Sequence, residues 1–476
     1  MRRFKIMAGV IAGAVFLFVG VVWMVVRSGR AEVLVARLRA AEGAERETLI
    51  MQLNLARGDA VSAMIAAFAD PAAEPGFRAD LLDLLFKRNL RRADERIAAV
   101  MVRALDDPEQ VVRRAAVRDY AVYMGSRDQL ALLDHVADPD PEVRRQVYLL
   151  LSAGGRWGPT GLWDLISGDD SKEAKARLLG DVIRQAAEET DPEFRLLARA
   201  VIGREIAARC EKAIEAVQTS DLAAAEDLLR GAMELDPQNR RAKIRYVRHF
   251  LGIGDREKAV RLADEYGALI RIPHLSGAPV IDGDPTDDAW REAFASDRFF
   301  LANSAWVARR TEGRSELRVG HRDGKVYIAV LGYEDDLSEL VVKHAGRDSD
   351  TWLDDCVELF FDPVNSEKAV YQFVINANGS CFDTRHTEGK QANFESASAA
   401  GVFLDRGYWA VEFAVAASAL GGQTIAAESV WGMNIMRTRI GPASEQGAWW
   451  PTFGSSLNFN LHPLAVFEGV EATPQP

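Results

Sequence analysis

Cysteine is scarce in this chain: Cys210, Cys356 and Cys381 are the only three in 476 residues. That is too few for a disulfide framework to replace a hydrophobic core. Three free thiols, or a Cys356–Cys381 bond if neighbouring strands bring the two together, both fit. Basic charge is short as well, with 58 Lys and Arg against 70 Asp and Glu, a net charge of −12. An acidic chain of this kind excludes nucleic acid as the main partner. Long apolar runs are absent but for one, Ile6–Val26, which carries no charge and is flanked by Arg2, Arg3 and Lys5 before it and Arg27 and Arg30 after it. Its length is close to the roughly 20 residues that cross a hydrocarbon core. No small-residue cleavage site follows it, so residues 1–30 are predicted as an uncleaved transmembrane anchor. The expected placement is a single-pass membrane protein, amino terminus inside and bulk periplasmic or extracellular. The remaining composition, 48% hydrophobic and 27% charged, is ordinary for globular protein and excludes wholesale disorder.

Beyond the anchor the apolar spacing is helical and repeats. Asp107-Pro108 precedes Val112-Arg113-Arg114, and Asp138-Pro139 precedes Val143-Arg144-Arg145, 31 residues later. Looser copies stand at Asp70-Pro71 and Asp191-Pro192. Asp-Pro suits a helix entry, because the carboxylate caps free amides and proline tolerates the first turn. The pattern resembles HEAT repeats over 31–203, an all-α solenoid in which such arginines bond neighbouring turns. Over 204–268 the period changes: Ser220-Asp221-Leu222 leads to Ala225 and Gly254-Asp255-Arg256 to Ala259, and the two alanines stand 34 residues apart. This stretch resembles tetratricopeptide repeats. The two helical stretches are expected to serve as spacer and protein-docking surface, with no spacing of catalytic or metal-binding residues. Residues 269–277 read as a linker.

From 278 to 470 tryptophan, glycine and alternating β-branched residues take over, with short strands expected at 316–321, 326–331, 357–361, 371–376, 408–415 and 431–437. Many short strands between turn residues indicate an all-β sandwich; residues 471–476 are a tail. The organising stretch is Thr351–Gly379. Val357, Leu359 and Phe361 alternate with Cys356, Glu358 and Phe360, Asp362-Pro363 ends the strand, and Asn378-Gly379 supplies a turn to a following strand. Trp352 stands just before, with Asp354, Asp355 and Glu358 near it. An aromatic face beside carboxylates suits a sugar, whose C–H surface stacks on the ring while its hydroxyls donate to the acids.

These pieces, in order, resemble the family-9 carbohydrate-binding modules: Ile281-Asp282-Gly283 with Trp290, the strand 325–330, Trp352 with 355–362, the strand 371–376, Tyr408–Phe413, Trp431–Arg437 and Trp449-Trp450-Pro451. The resemblance implies a sugar held between two tryptophans, with an acid and amides on its hydroxyls. Trp352 and Glu358 match the first tryptophan and the acid, Asn376 lies on a strand of polar contacts, and Trp449 or Trp450 is the candidate second wall. Being adjacent, Trp449 and Trp450 face opposite ways, so one is expected to be buried. Arg437 is a further candidate, as ligand contact or brace, and Glu412 is expected to be structural. Two departures stand out: Val374 replaces an expected arginine, and Asn460 stands where the second tryptophan is expected. The family's structural calcium would fall to Asp335, Asp336 and Asp362, which serve equally as solvated loop carboxylates.

The leading expectation is therefore a membrane-anchored, non-catalytic glycan-binding protein. The alternative is a protein-interaction scaffold whose sandwich has lost sugar. A haem domain would need Met433, Met436 and His386 as ligands. A glycosidase would need a pair of acids across a cleft, which Asp354, Asp355 and Glu358 on one strand entry do not provide.

Overall fold

The computed structural model describes residues 31–470 apart from 57–59, 92–93, 124–127, 153–171, 305, 388–389, 395, 397, 406 and 442–443. They form two compact units divided between Val201 and Ile202, a helical region followed by a part that ends in a β-sandwich. Among the described residues no helix is long and apolar enough to cross a membrane. This corrects the expected transmembrane helix and the single-pass membrane placement; the segment 6–26 on which both rested lies outside the described residues. The longest described helix, Pro192–Gln218, shows why length alone is no membrane signal: Arg195, Arg199, Arg204, Glu205, Arg209 and Glu211 interrupt it.

The first unit contains α1 (31–40), α2 (Gly43–Leu55), α3 (Ala60–Phe68), α4 (Pro75–Arg91), α5 (Glu95–Leu105), α6 (Gln110–Tyr123), α7 (Pro141–Ser152) and α8 (Lys172–Glu188), and the start of α9 (Pro192–Gln218). The Asp-Pro steps sit at the entries of α6 and α7 as expected. Their arginines form a ladder from repeat to repeat. Arg78 pairs with Asp107, and Arg113 forks onto both oxygens of Asp138 at 2.9 Å while its third nitrogen reaches the Asp107 carbonyl at 2.9 Å. Arg144 repeats that backbone contact on the Asp138 carbonyl at 2.8 Å. Arg113 is thus buried and structural, and Arg114 is held by Asp140 at 2.9 and 2.6 Å. Faces of α4, α6 and α7 line an open groove of about 480 Å³ bordered by Asp80, Asp83, Arg114, Arg118, Glu142 and Gln146.

In the second unit α10 (Leu222–Leu235) and α12 (Arg256–Glu265) open identically, with positive-φ Ser220 or Gly254 before the capping Asp221 or Asp255, whose carboxylates accept from Ala224 and Lys258 amides. Between them α11 (Arg240–Gly252) is capped by Asn239. Ile244, Val247 and Phe250 of α11, and Ala259, Leu262 and Ala263 of α12, join one hydrophobic core with the sandwich. The expected linker is not one. Leu269–Ile272 forms β1, paired in parallel with β14 (Leu464–Phe467), a partner almost 200 residues away that local pattern could not reveal.

Two sheets make the sandwich. One runs β1-β14-β12-β6-β7-β8-β9, with β13 and β3 continuing from β12; the other runs β10-β11-β5-β4-β2. Here β2 is Phe294–Ser296, β3 Phe300–Leu301, β4 Ser315–Arg322, β5 Lys325–Tyr333, β6 Cys356–Asp362, β7 Ala369–Asn376 and β8 Cys381–Thr387. The rest are β9 (Lys390–Asn393), β10 (Ala399–Asp405), β11 (Tyr408–Ala416), β12 (Val430–Arg439) and β13 (Glu445–Ala448). Val357, Leu359 and Phe361 of β6, Tyr371, Phe373 and Ile375 of β7, and Met433 and Ile435 of β12 face inward onto Val330, Val411 and Phe413 of the other sheet. Gly379 turns β7 into β8 at φ +86°. Cys356 and Cys381 are both free; their partners in β7, Asn376 and Ile375, are neighbours with opposite facing, which keeps the thiols on opposite faces of the sheet.

Candidate functional site

The outer face of the larger sheet carries the candidate residues that remain together. Register places Met436, Glu358, Val374 and Phe382 in one row across β12, β6, β7 and β8. Trp352, on the short turn Thr351–Leu353, stands edge-on to Phe382 at 4.9 Å between centroids. The indole is 41% exposed; Phe382, against which it stands, lies two strand spacings, about 10 Å, from Glu358 along the row.

Glu358 itself is nearly covered, 4% exposed. Both faces of β6 are buried, where the alternation implied one wet face, because a second layer overlies the outer one. Its carboxylate accepts from Gln372 Nε2 at 2.9 Å, from Gln446 Nε2 at 2.9 Å and from the Thr438 hydroxyl at 3.5 Å. Burial pushes its pKa up, against those three bonds. The far side of Gln372 accepts from His386 Nε2 at 2.7 Å, which fixes the amide's orientation; burial lowers the His386 pKa and keeps the ring neutral. The result is a polar chain, His386 to Gln372 to Glu358, that leaves one acceptor position of the carboxylate's four unfilled.

Phe459 closes the far end. Its ring lies 5.2 Å from His386 and 6.1 Å from Phe360. It sits one residue before Asn460, where the second tryptophan was expected. Gln372, His386, Thr438, Gln446 and Phe459 were not singled out for this role from sequence. Gln372 was within reach: the hairpin register that pairs Cys356 with Asn376 makes it the diagonal neighbour of Glu358. Phe459 was not, since only the tertiary fold brings its segment over the sheet.

The other candidates lie elsewhere. Trp449 is interior, donating to the Ser296 hydroxyl at 3.0 Å and edge-on to Phe294. Trp450 is also fully buried, with the Arg240 guanidinium 4.6 Å from its ring centroid; neither forms a second wall. Arg437 points between the sheets, donating to the Arg314 carbonyl and the Ser315 hydroxyl at 2.8 and 3.1 Å and paired with Glu334. Burial lowers its pKa to about 10. Asn376 braces the β7–β8 turn, donating to the His344 carbonyl at 2.8 Å and accepting from Ser380 N at 2.9 Å. Asp354 and Asp355 are engaged by loop amides: Lys343 and His344 on the first, Val341 and Ile440 on the second.

Asp335 is exposed, and Asp336 caps the turn at Ser338. Asp362 ends β6 and accepts from the Ser366 and Glu367 amides at 3.1 and 2.7 Å. The last is about 20 Å from the start of its strand, where Asp355 shares a cavity of about 30 Å³ with Asp336. Among the described residues no group of three or more His, Cys, Asp or Glu side chains is placed to hold a metal ion. Met433 and Met436 lie on opposite faces of β12, and His386 is engaged by Gln372.

His462, at the end of the segment that carries Phe459, is fully buried, and burial lowers its pKa to about 3. A histidine depressed in the fold stabilises fully above its unfolded value near 6.5 and loses that contribution as pH falls toward the folded value. Between pH 7 and pH 5 this residue is expected to cost about 2 kcal/mol. Urea titrations should show a smaller acid loss in His462→Gln than in the parent; equal slopes would contradict it.

Residues 281–446 match the family described as carbohydrate family 9 binding domain-like. The chain therefore carries a carbohydrate-binding-module-like domain, preceded by helices. A family 9 carbohydrate-binding module from Caldicellulosiruptor kristjanssonii, solved with glucose, is 16% identical over 43% of this chain and 100% of its own, with a TM-score of 0.33. A candidate carbohydrate-binding protein from Bacteroides uniformis is 14% identical over 42% of this chain and 98% of its own, TM-score 0.34. An alkylpurine DNA glycosylase from Pseudomonas fluorescens, bound to DNA with an abasic site analogue, is 13% identical over 88% of this chain and 95% of its own, TM-score 0.23. No curated protein matches the chain.

Proposed function

We propose that the sandwich is a non-catalytic carbohydrate-binding module whose ligand stacks on Trp352. The observation that carries this is the exposed indole beside Phe382 in the row of Glu358. A sugar face covers the exposed ring, while the buried Glu358 carboxylate holds Gln372 and Gln446 in place beneath the same face. The non-catalytic reading is supported by the engagement of Asp354 and Asp355 with backbone amides, which removes them as a second acid for hydrolysis. Stacking contributes about 1 kcal/mol beyond burial. Calorimetric titration with glucose and short oligosaccharides should give micromolar-to-millimolar binding that Trp352→Ala weakens about tenfold or more. No heat with any glycan, or an unchanged affinity in the variant, would refute the assignment.

A second reading, an interaction scaffold whose sandwich no longer takes sugar, is favoured by the burial of Trp449, Trp450 and Glu358. The mixed-charge groove between α4, α6 and α7 is then the docking surface for a protein. The same titration decides between the two.

A further inference from the structure

Away from Trp352, where the start of α11 meets β3, the chain gathers positive charge without neutralising it. Arg240 of α11 lays its guanidinium 4.2 Å from the Phe300 ring centroid and 4.6 Å from that of Trp450. Arg310 approaches the same Phe300 ring at 5.5 Å and donates to the Asp297 carbonyl at 3.1 Å. Arg298 lies close enough to repel Arg240, as does Arg310. One turn along α11, Lys243 adds a fourth cation, its ammonium 5.3 Å from the Tyr266 ring centroid.

Among the described residues none of these four has a carboxylate within ion-pair distance, and Arg240 makes no hydrogen bond. Asp236 and Glu265 act on Lys243 only at longer range. Three other buried arginines are matched by carboxylates: Arg113 with Asp138, Arg248 with Glu367, Arg437 with Glu334. An unmatched cluster in a protein of net charge −12 therefore stands out. Burial and the two neighbouring guanidiniums pull the Arg240 pKa down to about 10, so its charge is held at a cost. The two rings fix the plane of the guanidinium by cation–π contact. Its N–H donors are thus oriented, and guanidinium forks suit the oxygens of phosphate or sulfate.

We propose that Arg240, Arg298 and Arg310 form a binding site for a tetrahedral oxyanion, phosphate or sulfate, either free or as an ester. Lys243 adds long-range attraction. The site stands apart from the sugar reading of Trp352 and does not depend on it.

The test uses the whole protein and inorganic phosphate. With a Kd of about 1 mM, 10 mM phosphate raises Tm by about 2–4 °C over chloride at matched ionic strength. Arg298 and Arg310 are exposed, so Arg298→Gln/Arg310→Gln leaves the fold intact and should abolish the rise; circular dichroism checks the fold. Glucose 6-phosphate as a second probe separates the sources: a larger rise than with phosphate assigns a saccharide ester, an equal one the free anion. No rise in the parent, or a rise that survives in the double variant, would overturn the proposal.

Discussion

Replacing Glu412 by leucine is expected to remove about 3–5 kcal/mol of stability, the largest loss of any single substitution in the sandwich outside its apolar core. Glu412 lies on β11 with no exposure at all, yet it is not an unpaired charge. Its carboxylate accepts from Gly283 N at 2.8 Å, Asp282 N at 3.1 Å and the Trp290 indole at 2.6 Å. The leucine leaves the buried Gly283 amide and Trp290 indole without partners and removes the half-buried bond from the Asp282 amide as well; each buried orphan costs about 1–3 kcal/mol. The chain approaches closely here: a Cβ on Gly283, at φ +95°, would meet the Val402 backbone at 2.4 Å, so the turn cannot shift to find new acceptors. Glu412→Gln keeps acceptor oxygen and should lose less, about 1–2 kcal/mol. Urea unfolding followed by tryptophan fluorescence measures both; a leucine variant within about 1 kcal/mol of the parent would refute this account.

That carboxylate also explains a motif. Ile281-Asp282-Gly283 and Trp290 were legible as a recurring set, and Glu412 as structural, but nothing in local pattern joins residues 130 positions apart. The same division runs through the sandwich. Period-2 spacing correctly showed which residues of β6 and β7 share a face, and Asp362-Pro363 and Gly379 marked where the strands stop and turn. It did not show whether the outer face is wet. Glu358 is covered because Thr438 of β12 and Gln446 of β13, some 80 and 88 residues away, close over it together with Gln372. Trp450 illustrates the same limit. Alternation places it opposite Trp449, but it too is fully buried, with the Arg240 guanidinium over its ring. In the helices the arginine ladder was legible, since Arg113 and Asp138 belong to successive copies of one repeat.

Arg248→Met should have the second large effect, about 2–4 kcal/mol, and it tests whether the helices only precede the sandwich or hold its binding face. Arg241, Arg245 and Arg248 line one side of α11 at helical spacing. They donate to the carbonyls of Phe453 at 3.5 Å, Asn460 at 3.2 Å and His462 at 2.9 and 2.8 Å. Arg248 also pairs with Glu367 at 3.1 Å. Methionine keeps the bulk of the stem but leaves the buried His462 carbonyl without the two N–H donors of Arg248, and a buried acceptor that loses its charged donors costs about 2–4 kcal/mol. Lysine cannot fork and should recover only part of the loss. Because Phe459 rides on the same segment, its ring should lose its fixed place over His386 and Phe360. The sugar affinity proposed for Trp352 should then fall in the variant at temperatures where it is still folded. Limited proteolysis should show new cleavage within 453–462. A variant as stable and as protease-resistant as the parent would mean that the segment is held by its own packing, and that α11 is merely its neighbour.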